Sequence, residues 1–228
     1  MPDWQDDPSS KSQDLPMYYS FNLGNIHFIS ISTEYYYFLN YGGMQIARQY
    51  NWLVQDLEKA VQRRQEQPWI VIYGHRPMYC SDDDHDDCTF HSSRTRAGLP
   101  LLHLWGLEEL LQNYSVDLVL WAHEHDFERF WPVYNFQIKN GSLNEPYTNP
   151  KAPVHIITGS AGCQEKHDPW LPKPDITAFR STDYGYTRMT AHNATHLELE
   201  QVSDDQDGKV IDHICIKKTA GHDFLTNT

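Results

Sequence analysis

Alternating hydrophobic and polar residues predict a β-hairpin near the start of the chain. An apolar segment at 17–23 is followed by Ile26–Ser32, in which apolar and polar residues alternate with the period of a half-buried strand. The Gly24-Asn25 pair between them is typical of a tight turn. From Gln45 to about Arg64 the apolar positions recur with helical spacing and the charges occupy the other face, which predicts an amphipathic helix.

Two continuous apolar segments predict strands that are buried on both faces of a sheet. They are Trp69–Tyr73 and Val116–Trp121, and a short helical segment, Leu107–Leu111, lies between them. Apolar strands that alternate with helices are typical of a parallel α/β sheet. Both segments end in histidine, as Gly74-His75 and as Ala122-His123-Glu124-His125. Because open α/β sheets bind ligands at the carboxyl ends of their strands, three imidazoles are predicted at one edge.

The last third of the chain predicts one more buried strand and a second sheet. Val154–Thr158 has the composition of a strand and leads into a glycine-rich loop, Gly159–Gly162. Three later segments, at 184–189, 195–202 and 210–216, predict antiparallel strands, the last two joined by an Asp-Gly turn. The pattern as a whole predicts an α/β fold.

Composition and charge exclude several classes of protein. The 228 residues suffice for one large domain, and the aromatic share of 13% exceeds what disordered chains carry. The formal net charge is -13 and no run of Lys and Arg is present, so nucleic acid is not expected as a partner. No stretch of about 18 apolar residues predicts a membrane span. The first seven residues lack the basic and apolar regions of a signal peptide.

The thirteen histidines matter through their positions rather than their number. His123 and His125 do not form the zinc-binding H-E-x-x-H helix motif, because side chains two residues apart point to opposite sides of a regular strand. They can face one site only where the strand has ended and the backbone turns. Together with His75, which follows the neighbouring strand, they are candidate metal ligands; taken singly, each is a surface or core histidine.

The cysteines and the glycosylation sequons indicate the cellular compartment in which the protein is expected. Cys80 and Cys88 enclose a loop with five aspartates. A disulfide would hold this loop together; two free surface thiols are the alternative, and spacing does not decide between them. N-x-[ST] sequons occur at Asn113, Asn140 and Asn193, where chance predicts about one. These features favour a secreted or lysosomal protein whose leader lies upstream of this chain.

Three segments carry a resemblance to a known family. They are Gly74-His75-Arg76-Pro77-Met78-Tyr79, Ala122-His123-Glu124-His125-Asp126-Phe127-Glu128-Arg129 and Thr158-Gly159-Ser160-Ala161-Gly162-Cys163. Their residues and order resemble the purple acid phosphatases, a branch of the calcineurin-like metallophosphoesterases, and most of all the animal-type members. The resemblance runs from about Tyr18 to Ile216. It implies the C-terminal part of a β-sandwich flanked by helices (αββα), incomplete at the N-terminus.

The resemblance also implies a binuclear metal centre, Fe(III) with Fe(II), Zn or Mn, that binds a phosphate monoester as substrate. Carried over by motif, His75 and His123 correspond to ligands of the divalent metal, and His125 to a ligand of Fe(III). His91 is placed like a substrate-facing histidine that contacts phosphate or protonates the leaving alcohol. It is therefore the candidate catalytic and substrate-binding residue.

Supporting roles are expected for three charged residues of the second motif. Glu124 is expected at most to support a metal ligand. Glu128 and Arg129 are expected to act through an ion pair that holds the loop.

The family's other ligand motifs, GDxG, GDxxY and GNHE, are missing from this sequence. Gly24-Asn25-Ile26-His27 resembles GNHE only superficially, and His27 is predicted to be a strand residue. Three histidines without a bridging carboxylate would hold two cations weakly. The chain is therefore predicted to be the C-terminal half of a phosphatase, inactive alone.

The chain is predicted to contain four segments, and two alternative functions stay open. Residues 1–16 are predicted to be a mobile N-terminal segment and 218–228 a tail; between them lie the C-terminal half of the catalytic domain (17–150) and the family's C-terminal segment (151–217). The first alternative function is a non-catalytic secreted glycoprotein that keeps the fold without the full metal site. A mononuclear zinc hydrolase using only the three histidines ranks last. The oligomeric state is not predicted.

Overall fold

The computed structural model describes residues 17–39, 44–83, 85, 88 and 93–224. The described residues form three α-helices: α1 (Met44–Gln62), α2 (Arg94–Ala97) and α3 (Leu107–Asn113). They also form twelve strands: β1 (Tyr19–Leu23), β2 (Ile26–Ser30), β3 (Trp69–Tyr73), β4 (Leu118–Trp121), β5 (Phe127–Phe130), β6 (Val133–Tyr134), β7 (Gln137–Ile138), β8 (Val154–Thr158), β9 (Thr177–Ser181), β10 (Gly185–Ala191), β11 (His196–Ser203) and β12 (Lys209–Lys217).

Seven strands build one large sheet in the order β1-β2-β3-β4-β8-β5-β9. The four neighbours β2, β3, β4 and β8 are parallel, which confirms the prediction from the continuous apolar segments. The hairpin predicted at Gly24-Asn25 joins β1 to β2. β5 and β9, which the sequence pattern did not predict, extend the other edge in antiparallel pairing.

The large sheet is buried on both faces, which explains why β3 is apolar at every position. Ile70 and Ile72 face a core shared with Leu53 and Leu57 of α1 and with residues of α3. The alternate residues Trp69 and Val71 face the opposite core. The layers are therefore helix, large sheet and second sheet.

The second sheet contains β10, β11 and β12 in antiparallel order, as predicted. It packs on the large sheet through Leu197, Leu199, Ile214 and Ile216, which meet residues of β3, β4 and β8. None of the helices in the described part of the chain has the length and apolar character needed to cross a membrane.

Asp117 connects four parts of the fold at the amino-terminal end of β3 and β4. Its carboxylate is buried and accepts hydrogen bonds from the backbone N–H of Ile70 (2.8 Å), from Arg64 Nη1 (3.0 Å) and from Lys218 Nζ (2.6 Å). Burial alone would raise the pKa of Asp117, but Lys218 and Arg64 hold it below its usual value. Lys218 follows β12 and also lies 4.2 Å from the centre of the Trp69 ring. Lys218, the first residue of the predicted tail (218–228), is therefore buried against the large sheet.

Arg129 links the two sheets, and this differs from the expected pairing with Glu128. Arg129 Nε and Nη2 donate to the Asp212 carboxylate of β12 at 2.6 and 2.8 Å. Adjacent residues of a strand point to opposite faces, so Glu128 faces away and accepts from the backbone N–H of Ser81 (2.8 Å). Both residues lie in β5 rather than in a loop.

Removing the Asp117 carboxylate should destabilise the fold strongly. We expect Asp117→Ala to lower the free energy of unfolding by about 3–5 kcal/mol at neutral pH, because the buried Lys218 and the partly buried Arg64 lose their anionic partner. Since the pKa of Asp117 is lowered in the folded chain, its contribution is lost as pH falls through the acidic range, and the difference should shrink there. Urea unfolding measures both effects. The exposed Asp204→Ala variant should change stability by no more than about 0.5 kcal/mol.

Buried His155 of β8 should make the fold sensitive to acid. Its Nδ1 accepts from Trp121 Nε1 at 3.0 Å, and burial lowers its pKa to about 3. The unfolded chain takes up this proton near pH 6.5 and the folded chain does not, so stability should fall as pH decreases from about 6.5 to 3, by about 1.4 kcal/mol per pH unit. His155→Gln keeps an acceptor for Trp121 and should reduce that slope in urea unfolding. An unchanged slope would contradict the assignment; His103→Gln, at an exposed position, is the control.

Candidate metal centre

The carboxyl ends of β3 and β4 place the histidine motifs side by side. The two strands are parallel neighbours, with Tyr73 paired to Leu120. Beyond the strands the pairing continues, because Gly74 N–H donates to Leu120 O (3.1 Å) and Ala122 N–H donates to His75 O (3.0 Å). The segments that carry His75 and His123 therefore leave the sheet in contact.

His75 and His123 are in direct contact. His123 Nδ1 lies 3.0 Å from His75 Nε2, and the ring centroids are 4.9 Å apart with the planes nearly perpendicular. His123 has a φ of 67°, in the left-handed region that non-glycine residues seldom adopt. Such conformations persist where surrounding structure enforces them, and they are concentrated at functional sites.

Arg76 orients this pair. Its Nη1 lies 3.1 Å from His123 Nε2, and because arginine only donates, Nε2 is the acceptor. The proton of a neutral His123 is then on Nδ1 and points to His75 Nε2. Arg76 is held in turn by Glu34, whose carboxylate accepts from Nε at 2.9 Å, and by the Tyr37 ring, 4.8 Å from its guanidinium carbon.

The electrostatics around His75 favour its neutral imidazole form. Burial, and next the neighbouring His123, lower the pKa of His75 below its usual value. Neutral imidazole is the form that binds metal ions.

The contact distance fits a shared metal ion. Two imidazole nitrogens bound to one ion at about 2.0–2.1 Å lie about 3 Å apart, as His75 Nε2 and His123 Nδ1 do. Imidazole is a ligand that suits zinc and iron. The charge of His125 contributes to lowering the pKa of His75, and the Nδ1 atom of His125 lies 3.5 Å from Glu165 Oε2.

Within the described ranges, a different set of residues has its ligand atoms within 4.8 Å of one another: Cys80, Asp82, Cys88 and Glu124. Cys80 and Cys88 are joined by a disulfide, one of the two alternatives left open by their spacing. Glu124 is buried and its Oε1 lies 3.0 Å from Cys88 Sγ. It is therefore directed at the disulfide. His91, the candidate substrate residue, lies outside the described residues.

Two further buried carboxyl groups follow the histidine turn. Burial, and next the charge of Asp82, raise the pKa of Asp126 to about 9. Burial raises the pKa of Glu128 to about 7, against the hydrogen bonds from Ser81 and Thr177. The sequence pattern did not indicate burial of Asp126.

The three sequon asparagines differ in exposure. Asn113, the last residue of α3, and Asn193, in the turn between β10 and β11, are exposed. The side-chain oxygen of Asn193 accepts from the backbone N–H of Thr195 at 2.8 Å. Asn140 is partly buried, and its Oδ1 is enclosed.

Three further residues of the site, Arg76, Glu34 and Thr33, were not indicated by the sequence pattern. Thr33 Oγ1 accepts from the Arg76 backbone N–H at 2.7 Å. Thr33 and Glu34 follow β2, a third parallel strand that ends at the same edge. The signal that could have found them is their position after a strand, the same signal that found the histidines.

Two family models match the chain. One, described as calcineurin-like phosphoesterase, matches residues 3–127, and the other, described as iron/zinc purple acid phosphatase-like protein C, matches residues 152–213. Together with the parallel sheet and the histidines at its edge, these matches define the metallophosphoesterase class. The chain belongs to the purple acid phosphatase branch of the calcineurin-like phosphoesterases.

Curated relatives support the same assignment. The chain is 59% identical over 213 residues to acid phosphatase type 7 of Danio rerio, and 54% identical over 202 residues to the Homo sapiens protein of that name. These alignments cover 89% and 88% of this chain but 47% and 46% of the relatives, so the chain spans about half their length. A purple acid phosphatase structure from yellow lupin seeds matches with a TM-score of 0.71 at 24% identity, covering 92% of this chain and 34% of that one, which shows the fold.

Gly159 should be essential to the turn that carries His123 and His125. A Cβ at this position would lie 2.1 Å from Glu124 O, and Gly159 N–H donates to Asp126 O at 3.1 Å. We expect Gly159→Ala to lower the free energy of unfolding by about 3 kcal/mol, because backbone must move. Gly162→Ala meets no atom within 4 Å but has a φ of 71°, so it should cost about 1 kcal/mol. Equal effects in urea unfolding would contradict this ordering.

Proposed function

We propose that this chain contributes metal ligands to a phosphatase that hydrolyses phosphate monoesters with two metal ions. The observation that carries the proposal is the contact between His75 Nε2 and His123 Nδ1, 3.0 Å apart at adjacent strand ends. Membership in the phosphoesterase family supports hydrolysis of a phosphate ester as the reaction.

In this proposal His75 and His123 hold one divalent ion, and His125 holds Fe(III). Zn, Mn or Fe(II) is proposed as the partner of the iron. When bound, such a pair of cations polarises the phosphoryl oxygens and supplies a hydroxide nucleophile near neutral pH. Metal binding through His123 Nδ1 would place the imidazole proton on Nε2, so the 3.1 Å contact with Arg76 Nη1 would have to open when the ion binds. His91 is proposed to contact the phosphate or to protonate the leaving alcohol.

We also propose that the chain alone binds these ions weakly. Among the described residues, the three histidines do not form a group with ligand atoms within 4.8 Å of one another, and no carboxylate joins His75 and His123 in such a group. Two cations close together need an anionic ligand between them. The missing ligands would come from sequence that corresponds to the other half of the relatives.

A non-catalytic member of the family is the second candidate. Two relatives in Arabidopsis thaliana are named probable inactive purple acid phosphatases, with 32% and 29% identity to this chain. The same absence of a bridging carboxylate among the described residues favours this candidate.

A secreted or lysosomal location is proposed from the sequons and the disulfide. Asn113 and Asn193 are exposed, so a glycan could be attached there without disturbing the core. Asn140 is proposed as a third site.

The deciding experiment measures metal content and p-nitrophenyl phosphate hydrolysis for this chain and for a version extended upstream to the length of the relatives. We expect the extended protein to bind two ions and to turn over substrate, and the chain alone to be at least about a hundredfold slower. His123→Ala in the extended protein should lower both metal content and turnover. His192→Ala, an exposed histidine paired with Glu198, should change neither.

Three results would each contradict part of the proposal. Full turnover by the chain alone, abolished by His123→Ala, would overturn the claim of weak metal binding. An extended protein that folds but neither binds metal nor hydrolyses the substrate would favour the non-catalytic candidate. Turnover unchanged by His123→Ala would remove the histidine cluster from the reaction.

A further inference from the structure

Arg76 contacts a candidate metal ligand in a way that a bound ion would end. Its Nη1 donates to His123 Nε2 at 3.1 Å, so this contact uses the lone pair of Nε2. An ion bound at Nε2 would need the same lone pair, and an ion bound at Nδ1 would leave a proton on Nε2 that faces the Arg76 donor. Arg76 and a metal ion therefore compete for His123, whichever nitrogen is the ligand.

The other contacts of Arg76 would keep its guanidinium at the site. The backbone N–H donates to Thr33 Oγ1 at 2.7 Å, and Nε donates to Glu34 Oε1 at 2.9 Å. The guanidinium carbon lies 4.8 Å from the centre of the Tyr37 ring. Because these three contacts do not involve His123, Nη1 would lose its acceptor while the guanidinium stays in place.

The released donor would need a new acceptor. The Arg76 side chain is only 13% exposed, so water reaches little of it. A charged N–H group that is enclosed without an acceptor destabilises the state that contains it. Glu34 is already engaged through Nε. A substrate phosphate at the histidine pair would supply the oxygen, and arginine forms strong, charge-assisted hydrogen bonds with phosphate.

The positive charge around Tyr37 also favours an anion. Arg94 of α2 approaches the same ring, with its guanidinium carbon 5.6 Å from the centre, and its Nη1 donates to Tyr36 O at 3.3 Å. Among the described residues no carboxylate forms an ion pair with Arg94, whereas Glu34 is paired with Arg76. Two guanidinium groups and one carboxylate thus give this region a positive charge, in a chain whose net charge is -13.

We infer that Arg76 is a phosphate-binding residue, which exchanges His123 Nε2 for an oxygen of the substrate phosphate once His123 holds a metal ion; this assignment rests on the proposed function. In the metal-free chain Arg76 occupies His123, and in the loaded protein it binds the phosphate. Because the phosphate removes a competitor for His123, phosphate binding and metal binding should each strengthen the other.

Zinc titration of the chain alone, without phosphate, tests the competition. Affinity is measured against a chromogenic chelator. Arg76→Gln should bind Zn²⁺ about three- to tenfold more tightly than the unaltered chain, because the donor at His123 Nε2 is removed. Arg94→Gln removes an equal charge without touching His123, so it is the matched control and should change affinity less than about twofold. The effect of Arg76→Gln should vanish in a His123→Ala background.

Phosphate binding to the metal-loaded protein extended upstream tests the exchange. After free metal is removed, titration calorimetry gives the Kd of inorganic phosphate, and the KM for p-nitrophenyl phosphate is the second measure. Arg76→Gln should raise both at least about tenfold with metal content unchanged. Arg76→Lys keeps the charge beside Glu34 but not the planar fork, so its values should lie in between. Arg188→Gln, which removes an exposed pairing with Glu200, should leave both within about twofold.

Two results would overturn this inference and leave the proposed function standing. They are equal zinc affinities of the Arg76→Gln and Arg94→Gln chains, and an unchanged phosphate Kd in metal-loaded Arg76→Gln. An extended protein that binds no metal would overturn the proposed function, and the role of Arg76 with it. Should Arg76→Gln fail to fold, Arg76→Lys decides the question, and a phosphate Kd equal to that of the unaltered protein would then count against the inference.

Discussion

The buried carboxylate of Asp117 sets the alignment on which the candidate site depends. It accepts from the backbone of Ile70 and from two cations, Arg64 and Lys218, that come from distant parts of the chain. This contact fixes the amino-terminal ends of β3 and β4 against each other. Because parallel strands in fixed register also end together, His75 and His123 meet at the far edge. The position of the candidate metal ligands therefore follows from a polar contact at the opposite end of the same two strands.

The elements with a strong apolar period were predictable from the sequence. The hairpin of β1 and β2, the helix α1, the buried strands β3, β4 and β8 and the antiparallel β10–β12 sheet all occur where the pattern placed them. The grouping of histidines at one edge was predictable for the same reason, since it required only that two adjacent parallel strands end there. The assignment of His75 and His123 to a divalent metal and of His125 to Fe(III) rests on family resemblance and stays a prediction.

What the sequence did not indicate depends on contacts between distant residues. Arg129 pairs with Asp212 across two sheets, and Arg76 pairs with Glu34 after a different strand, so no local spacing connects either pair. β5 and β9 were missed because Phe127–Phe130 and Thr177–Ser181 are short and contain charged residues that other segments bury. The burial of Asp82, Glu124 and Asp126 could not be predicted for a related reason. Asp82 belongs to an acidic loop and the other two to a histidine motif, and neither pattern indicates whether a carboxyl group is buried.

The close approach of Gly159 to the turn after β4 has a consequence for how this site changes by mutation. The loop after β8 and the turn holding Glu124 touch through backbone atoms: Gly159 N–H donates to Asp126 O, and Glu124 O lies where a Cβ at Gly159 would be, so no side chain separates the two segments. Substitutions in the two segments should therefore be non-additive, unlike those at distant positions. A change in the length of one segment should therefore require a matching change in the other, so the two act as one mechanical unit even though more than thirty residues separate them in the chain.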